Sequence, residues 1–285
     1  MNRIQNKFQT LKVQQKKAFI AFITAGDPDL KTTEDLVMAF EKSGVDIIEL
    51  GIPFSDPLAD GPTIQASYHR ALKKGASVKK ILETVKRIRR RTSIPLALMS
   101  SYNPILRFGE SKFIASCVEA GVDGLIIPDL PPEEALHLRQ LAIKNDIATI
   151  FFVAPTTKDD RILSNTKAAT GFVYYVSLIG ITGTQKALAQ SVVKQIKHIK
   201  KFTQKPVCAG FGISTPRQVR DIGTAADGVI VGSAIVKKIE EYKGHKDLVG
   251  KISSYVHSLV MSLRARRAKQ SLKEHQNAPR NSTSQ

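Results

Sequence analysis

Apolar and polar residues alternate along this chain in blocks. Eight short runs rich in β-branched and aromatic side chains recur at Phe19–Thr24, Asp46–Leu50, Pro95–Met99, Gly124–Pro128, Ala148–Val153, Phe172–Val176, Pro206–Gly210 and Asp227–Val231. Nearly all are continuously apolar, as parallel strands buried on both faces require. Between them lie segments whose apolar residues keep a helical period. Leu36, Val37 and Phe40 mark one, Ile81, Leu82, Val85 and Ile88 another, Leu138, Leu141 and Ala142 a third, and Val192, Val193, Ile196 and Ile199 a fourth. Ser77 stands where an N-cap belongs, and Pro131-Pro132 followed by Glu133-Glu134 reads as the acidic first turn of a further helix. Strand and helix alternating eight times predict a closed (β/α)8 barrel, with an open doubly wound sheet as the alternative. An extra N-terminal helix over Asn2–Lys16 is placed to plug the barrel bottom.

Length agrees with one such domain, since α/β barrels usually take about 250 residues and the chain has 285. No linker divides it. Residues 1–262 are therefore expected to form the barrel and residues 263–285 a basic, disordered tail, in which Arg264, Arg266, Arg267, Lys269, Lys273 and Arg280 face Glu274 alone. No apolar run approaches the roughly 18 residues that span a bilayer, and the first residues lack a signal-peptide core. A cytoplasmic protein without membrane association is expected. Cys117 and Cys208 have no Cys or His at metal-ligand spacing beside them, so buried reduced thiols are expected, and no metal site.

The net charge of +18 is the one unusual bulk feature. Besides the tail it sits on faces such as Lys86-Arg87-Ile88-Arg89-Arg90-Arg91 and on Lys194 to Lys205. Neither a reading motif nor stacking aromatics accompany these runs, which argues against nucleic acid while leaving polyanion attraction open.

In such barrels chemistry sits at the C-terminal ends of strands. Strand two ends Ile47-Ile48-Glu49-Leu50-Gly51, a carboxyl among apolar neighbours where desolvation is costly. The loop beyond it, stiffened by three prolines, places Asp60 eleven residues after Glu49. The two carboxyls could flank one ligand and act separately as acid and base. Glycines follow strands seven and eight, in Gly210-Phe211-Gly212-Ile213-Ser214 and Gly232-Ser233, each ahead of a helix. Together they describe a phosphate site. The Gly-punctuated segment Ser177–Thr184 suits a closing lid, with Gly183 as a further phosphate donor.

The run Glu49-Leu50-Gly51-Ile52-Pro53-Phe54-Ser55-Asp56-Pro57-Leu58-Ala59-Asp60-Gly61-Pro62-Thr63-Ile64-Gln65 closely resembles the signature of tryptophan synthase α chains. Thr24-Ala25-Gly26-Asp27-Pro28, Tyr102-Asn103-Pro104-Ile105, Pro128-Asp129-Leu130-Pro131, Ala154-Pro155-Thr156-Thr157, Gly180-Ile181-Thr182-Gly183 and the Gly210 run match in order over residues 1–262. The resemblance implies a lyase that splits indole-3-glycerol phosphate into indole and glyceraldehyde 3-phosphate, with no metal or cofactor in this subunit. By it, Glu49 is the general acid/base that protonates the ring carbon and handles the glycerol hydroxyl proton. Asp60 binds the indole N–H, and Thr182 hydrogen-bonds Asp60. Gly183, Gly212, Gly232 and Ser233 hold the phosphate, while Phe22, Ile64, Met99, Val153, Tyr174, Phe211 and Ile230 wall the indole pocket. The family's partner is a pyridoxal-phosphate β subunit in an α2β2 heterotetramer, which Pro53, Asp56, Asn103 and Asp129 would face and to which indole passes. Two departures, Ser101 where an aromatic residue is usual and Ile179 where Ser or Thr is usual, motivate the alternative of a catalytically weak activator of the β subunit. Other phosphate-binding barrel enzymes, such as an epimerase or an indole-glycerol phosphate synthase, are disfavoured by the Pro53–Asp60 run.

Overall fold

The computed structural model of the chain describes residues 2–58, 60–176, 185–210 and 212–265, with backbone alone for 185–189. Eight parallel strands form a closed barrel in sequence order. They are β1 (Ala18–Thr24), β2 (Ile47–Gly51), β3 (Leu96–Met99), β4 (Gly124–Ile126), β5 (Ala148–Val153), β6 (Val173–Val176), β7 (Val207–Gly210) and β8 (Gly228–Val231). Pairing of Ala18–Ala21 with Gly228–Val231 shuts it. The eight predicted runs are the eight strands, each within a residue or two of its expected bounds.

The helices are α1 (Arg3–Val13), α2 (Leu30–Lys42), α3 (Pro62–Lys73), α4 (Val78–Arg89), α5 (Tyr102–Phe108), α6 (Glu110–Ala120), α7 (Leu136–Lys144), α8 (Asp159–Ala168), α9 (Gln185–Ile199), α10 (Pro216–Ile222), α11 (Ser233–Glu241) and α12 (Leu248–Arg264). Their apolar faces meet the outward side chains of the strands. Leu36, Val37 and Phe40 of α2 and Ile81, Leu82, Val85 and Ile88 of α4 pack with Phe19, Ala21 and Ile23 of β1 and Ile48 and Leu50 of β2. The alternate strand residues, Ile20, Ile47, Ala97, Ile126, Ile150, Tyr174, Cys208 and Ile230, fill the barrel interior. Both thiols are free and buried, and burial pushes both upward.

α1 closes the N-terminal end of the barrel. Asn2 caps the helix through its Oδ1, which accepts the Ile4 N–H, and its Nδ2 donates to the carbonyls of Asp123 and Asp146, just ahead of β4 and β5. Ile4, Phe8 and Leu11 then enter the interior cluster. Gly124 admits Ile4, since a Cβ there would lie 2.7 Å from its Cδ1.

Two sequence expectations need revision. Pro131–Ala135 is an isolated turn, closed by the Glu134 and Ala135 N–H groups on the Pro131 carbonyl, and α7 starts only at Leu136. A proline biases the residue before it away from helical backbone, and Glu133 is engaged by Arg161 instead. Arg264, counted with the basic tail, ends α12 and donates to Asp46 at 2.7 Å and to the Lys17 carbonyl at 2.9 Å. That ties the last helix to the starts of β1 and β2.

Candidate active site

Glu49 is the middle residue of β2, aligned with Phe22 on β1 and Ala97 on β3. It shares the inward face with Ile47, while Ile48 and Leu50 turn to the helices. Its side chain is 0% exposed, and neither carboxyl oxygen has a hydrogen-bond partner among the described residues. A paired glutamate would have a cation beside it; the groups that sense its charge are instead the Tyr68 and Tyr174 phenols and the Cys208 thiol. Burial alone pushes its pKa up to about 8, so the carboxyl holds its proton at neutral pH.

Asp60 ends the β2–α3 loop, directly before Gly61, the N-cap of α3, and Pro62 at its first position. The first turn of α3 holds the loop, as Gln65 Nε2 donates to the Asp60 carbonyl at 2.8 Å and reaches that of Pro57 at 3.5 Å. Burial, and after it the negative charge of Asp129, push Asp60 up to about 6. At pH 7 the aspartate is therefore ionised while the glutamate is protonated. Environments that separate two carboxyls in this way leave one able to donate a proton and the other able to act as a fixed negative charge.

The Thr24–Pro28 run has a structural task here. Asp27 takes both Arg70 Nε and Nη2, at 3.0 and 2.8 Å, and Thr24 Oγ1 lies 2.6 Å from Ser67 Oγ. Both contacts pin α3, and with it the loop that carries Asp60.

A cavity of about 270 Å³ opens at the C-terminal end of the barrel. Phe22, Met99, Tyr174 and Ile230 line it from the strands and Ile64 from α3, with Asp60 at one edge. Gly212, Gly232 and Ser233 line the other edge. Ser233 is the first residue of α11, whose cap, Gly232, has no side chain to satisfy the free N–H groups. The neighbouring α10 differs, because Thr215 and Gln218 form a closed capping box. Of α10 and α11, the helix with a free N-terminal end at this edge is thus α11. Glu49 lies beneath the cavity. Gly51 is the next inward position above it, and a Cβ there would meet the Phe22 ring at 2.7 Å and the Tyr68 hydroxyl at 3.1 Å.

Most expected site residues converge on this cavity, with one correction. Val153 belongs to the outer cluster against the helices; its neighbour Phe152 points inward, with its ring 4.8 Å from that of Tyr174. One step along a strand exchanges the two faces. Phe211, Thr182, Gly183 and Ile179, and the lid expected at Ser177–Thr184, lie outside the described residues. Tyr68 was not anticipated, although it falls one helical turn after Ile64 on the same face of α3. Thr63 and Ile213 also line the cavity.

Of the residues expected to face a partner, Asp56, Asn103 and Asp129 are exposed, whereas Pro53 is buried. The chain still follows the barrel rim there, with the Ile52 N–H on the Met99 carbonyl. Asp129 also accepts the Tyr102 N–H at the start of α5. Ser101 precedes that helix as its cap residue and makes no side-chain capping bond. Leu58, 93% exposed, lies two residues beyond Asp56 in the β2–α3 loop. Among the described residues no three His, Cys, Asp or Glu side chains gather as a metal would require.

The sequence model described as tryptophan synthase alpha chain matches residues 8–263. The chain belongs to that family. A tryptophan synthase alpha chain of Geotalea daltonii is 48% identical over 265 residues, covering 93% of this chain and 100% of that one. One from Thermoanaerobacter sp. strain X514 is 47% identical over 259 residues, 91% of this chain and 98% of its own. Among solved structures, tryptophan synthase subunit alpha from Legionella pneumophila superposes with a TM-score of 0.87 at 37% identity, over 93% of this chain and 99% of the other. Membership in this family makes the chain a lyase of amino-acid biosynthesis.

Proposed function

We propose that this chain cleaves indole-3-glycerol phosphate by a retro-aldol step, with Glu49 as general acid/base and Asp60 as the electrostatic partner of the ring. The observation that carries the reading is Glu49 itself, fully buried, without a cation and protonated at neutral pH, beneath a cavity whose two edges are an ionised aspartate and an uncapped helix N-terminus. The phosphate is held by the N–H groups at Gly212, Gly232 and Ser233 and by the Ser233 hydroxyl. The ring lies among Phe22, Ile64, Met99, Tyr174 and Ile230, and its N–H donates to Asp60.

Glu49 then delivers its proton to the ring carbon that bears the glycerol chain. The ring becomes a cation, which the Asp60 carboxylate stabilises. The Glu49 carboxylate takes the proton of the adjacent glycerol hydroxyl as the carbon–carbon bond breaks. The bond's electron pair returns to the ring, leaving indole, and the former carbinol becomes the aldehyde of glyceraldehyde 3-phosphate. Glu49 ends protonated, ready for the next turnover.

The partner is a tryptophan synthase β subunit, which holds pyridoxal phosphate, in an α2β2 assembly in the cytoplasm. Asp56, Asn103, Asp129 and the exposed Leu58 supply the docking face. Cleavage by Glu49→Gln, with phosphate binding retained, is the test. A loss of about 10²–10⁴-fold in kcat is expected for removal of a general acid/base; normal turnover would overturn the assignment. A rate that stays low with the β subunit bound, while that subunit is stimulated, would favour the weak-activator alternative that Ser101 and Ile179 raise.

A further inference from the structure

The opposite end of the barrel holds a second cavity, of about 430 Å³, that the cleavage reaction does not use. It lies between the C-terminal half of α1 and the connection from α9 to β7. Lys12, Lys16, Lys17, Lys200 and Lys205 line it, against the single carboxylate of Asp227. That carboxylate is already committed. Its Oδ1 accepts Lys200 Nζ at 2.8 Å and Lys17 Nζ at 3.4 Å, and its Oδ2 accepts the Val207 N–H at 3.0 Å.

Lys205 has no carboxylate partner among the described residues. Its Nζ donates to the carbonyls of Thr166 and Lys167, and burial, followed by the charge of Arg139, lowers its pKa. Lys12, exposed on α1, and Lys16, exposed in the segment between α1 and β1, form no ion pair among the described residues. Five cations against one anion leave a surplus of four positive charges in one concavity. Nothing in the cleavage chemistry requires such a surplus. An anion of charge −3 to −4 would offset it, which is the charge of a di- or triphosphate group and about twice that of a phosphate monoester. Phe8, Leu11 and Pro206 add an apolar floor. Phe8 is only 7% exposed, however, and so offers no stacking face for the bases of a nucleic acid.

We infer that this cavity is a second anion site, which binds the di- or triphosphate group of a nucleotide or of a short polyphosphate and clamps α1 to the α9–β7 connection. It accounts for part of the net charge of +18 that the catalytic reading leaves unexplained.

The full chain is titrated with inorganic tripolyphosphate and, separately, with adenosine triphosphate, by calorimetry at low ionic strength. The upper phosphate end is silenced in a parallel series by Ser233→Asp, which sets a negative charge at the start of α11. Saturable one-to-one binding that persists in Ser233→Asp is expected. Lys12→Glu, on the exposed side of α1, and Lys16→Glu, just beyond the end of that helix, should each weaken it at least tenfold. Lys79→Glu, an equal charge change on exposed α4 far from the cavity, should leave affinity within twofold. Tighter binding of the nucleotide than of tripolyphosphate would identify a nucleotide as the ligand, and equal affinities would define a bare polyphosphate site. Absence of saturable binding overturns the inference. So does a loss in Lys79→Glu equal to that in Lys12→Glu, which would mark diffuse attraction to a basic protein, or a loss confined to Ser233→Asp, which would place the anion in the upper site.

Discussion

Glu49 should make the stability of this protein fall as pH rises, and Glu49→Gln should abolish that fall. In the folded chain the carboxyl keeps its proton up to about pH 8, whereas in the unfolded chain it ionises near its ordinary value of 4.5. Between those limits the unfolded state has released a proton that the folded state retains, so stability decreases with pH. The contribution is intact below pH 4.5 and lost through the pH 8 region. An interval of about 3.5 pH units at about 1.4 kcal/mol each amounts to about 5 kcal/mol. That is a large share of the roughly 5–15 kcal/mol by which domains are stable. From pH 5 to pH 9 the part lost is about 4 kcal/mol. Glutamine keeps the shape and cannot ionise, and all other titrating groups are common to both proteins, so their difference isolates Glu49. The chain contains no Trp, so urea unfolding is followed by far-UV circular dichroism and extrapolated to water at each pH. The variant should gain about 4 kcal/mol on wild type between pH 5 and pH 9. A difference that stays flat would mean that Glu49 reaches solvent or a cation, and the proposed acid would lose its physical basis.

Asp129→Asn removes the second cause of the raised Asp60 pKa. The acid limb of kcat/KM for the isolated subunit, expected near pH 6 from Asp60, should therefore move to lower pH, and an unmoved limb would show that Asp129 does not act on Asp60. Ser233→Asp opposes a phosphate with a carboxylate at an uncapped helix end; KM for indole-3-glycerol phosphate should rise at least tenfold with unfolding midpoints unchanged, and an unaltered KM would remove α11 from the phosphate site. Arg264→Met leaves Asp46 buried without its cation. Breaking such a pair costs about 3 kcal/mol, so urea midpoints should drop at pH 7. The deficit should shrink in acid, where Asp46 takes up a proton, and a full deficit at pH 4 would refute the pairing argument.

What could be read from the sequence follows from which physical signals are local. Glu49 was legible because a carboxyl in the apolar run Ile47–Leu50 has no structural reason to be there. The glycines at 212 and 232 were legible because fold geometry fixes where an anion can sit. The Pro131–Ala135 turn was misread because Pro-Pro-Glu-Glu carries the composition of a helix start, while the actual start, Leu136, follows an alanine without capping capacity. Tyr68 and Arg264 were missed for a different reason. Their partners, Gly51 and Asp46, are remote in sequence, and only the closed barrel brings them together.

The misplacement of Val153 is the instructive failure, and the inward glycines show what would have prevented it. A strand buried on both faces, as β5 is along almost its whole length, offers no alternation from which to tell inside from outside. The barrel interior is narrow, however, and where two inward positions compete for the same space one of them must lack a side chain. A Cβ on Gly51 would meet the Phe22 ring, one on Gly124 would meet Ile4, one on Gly210 would lie 2.8 Å from the Tyr174 hydroxyl, and one on Gly228 would lie 2.7 Å from the Cys208 sulfur. Each glycine therefore marks the inward parity of its strand, and Glu49, Ile126, Cys208 and Ile230 fall on that parity, two residues away. β5 contains no glycine, so its parity is fixed only by its neighbours. Phe152 aligns with Tyr174 across the β5–β6 ladder, and since Tyr174 faces inward, Phe152 must as well. The wall of the ring pocket is thus set by pairing register, a property of two strands together that neither sequence states alone.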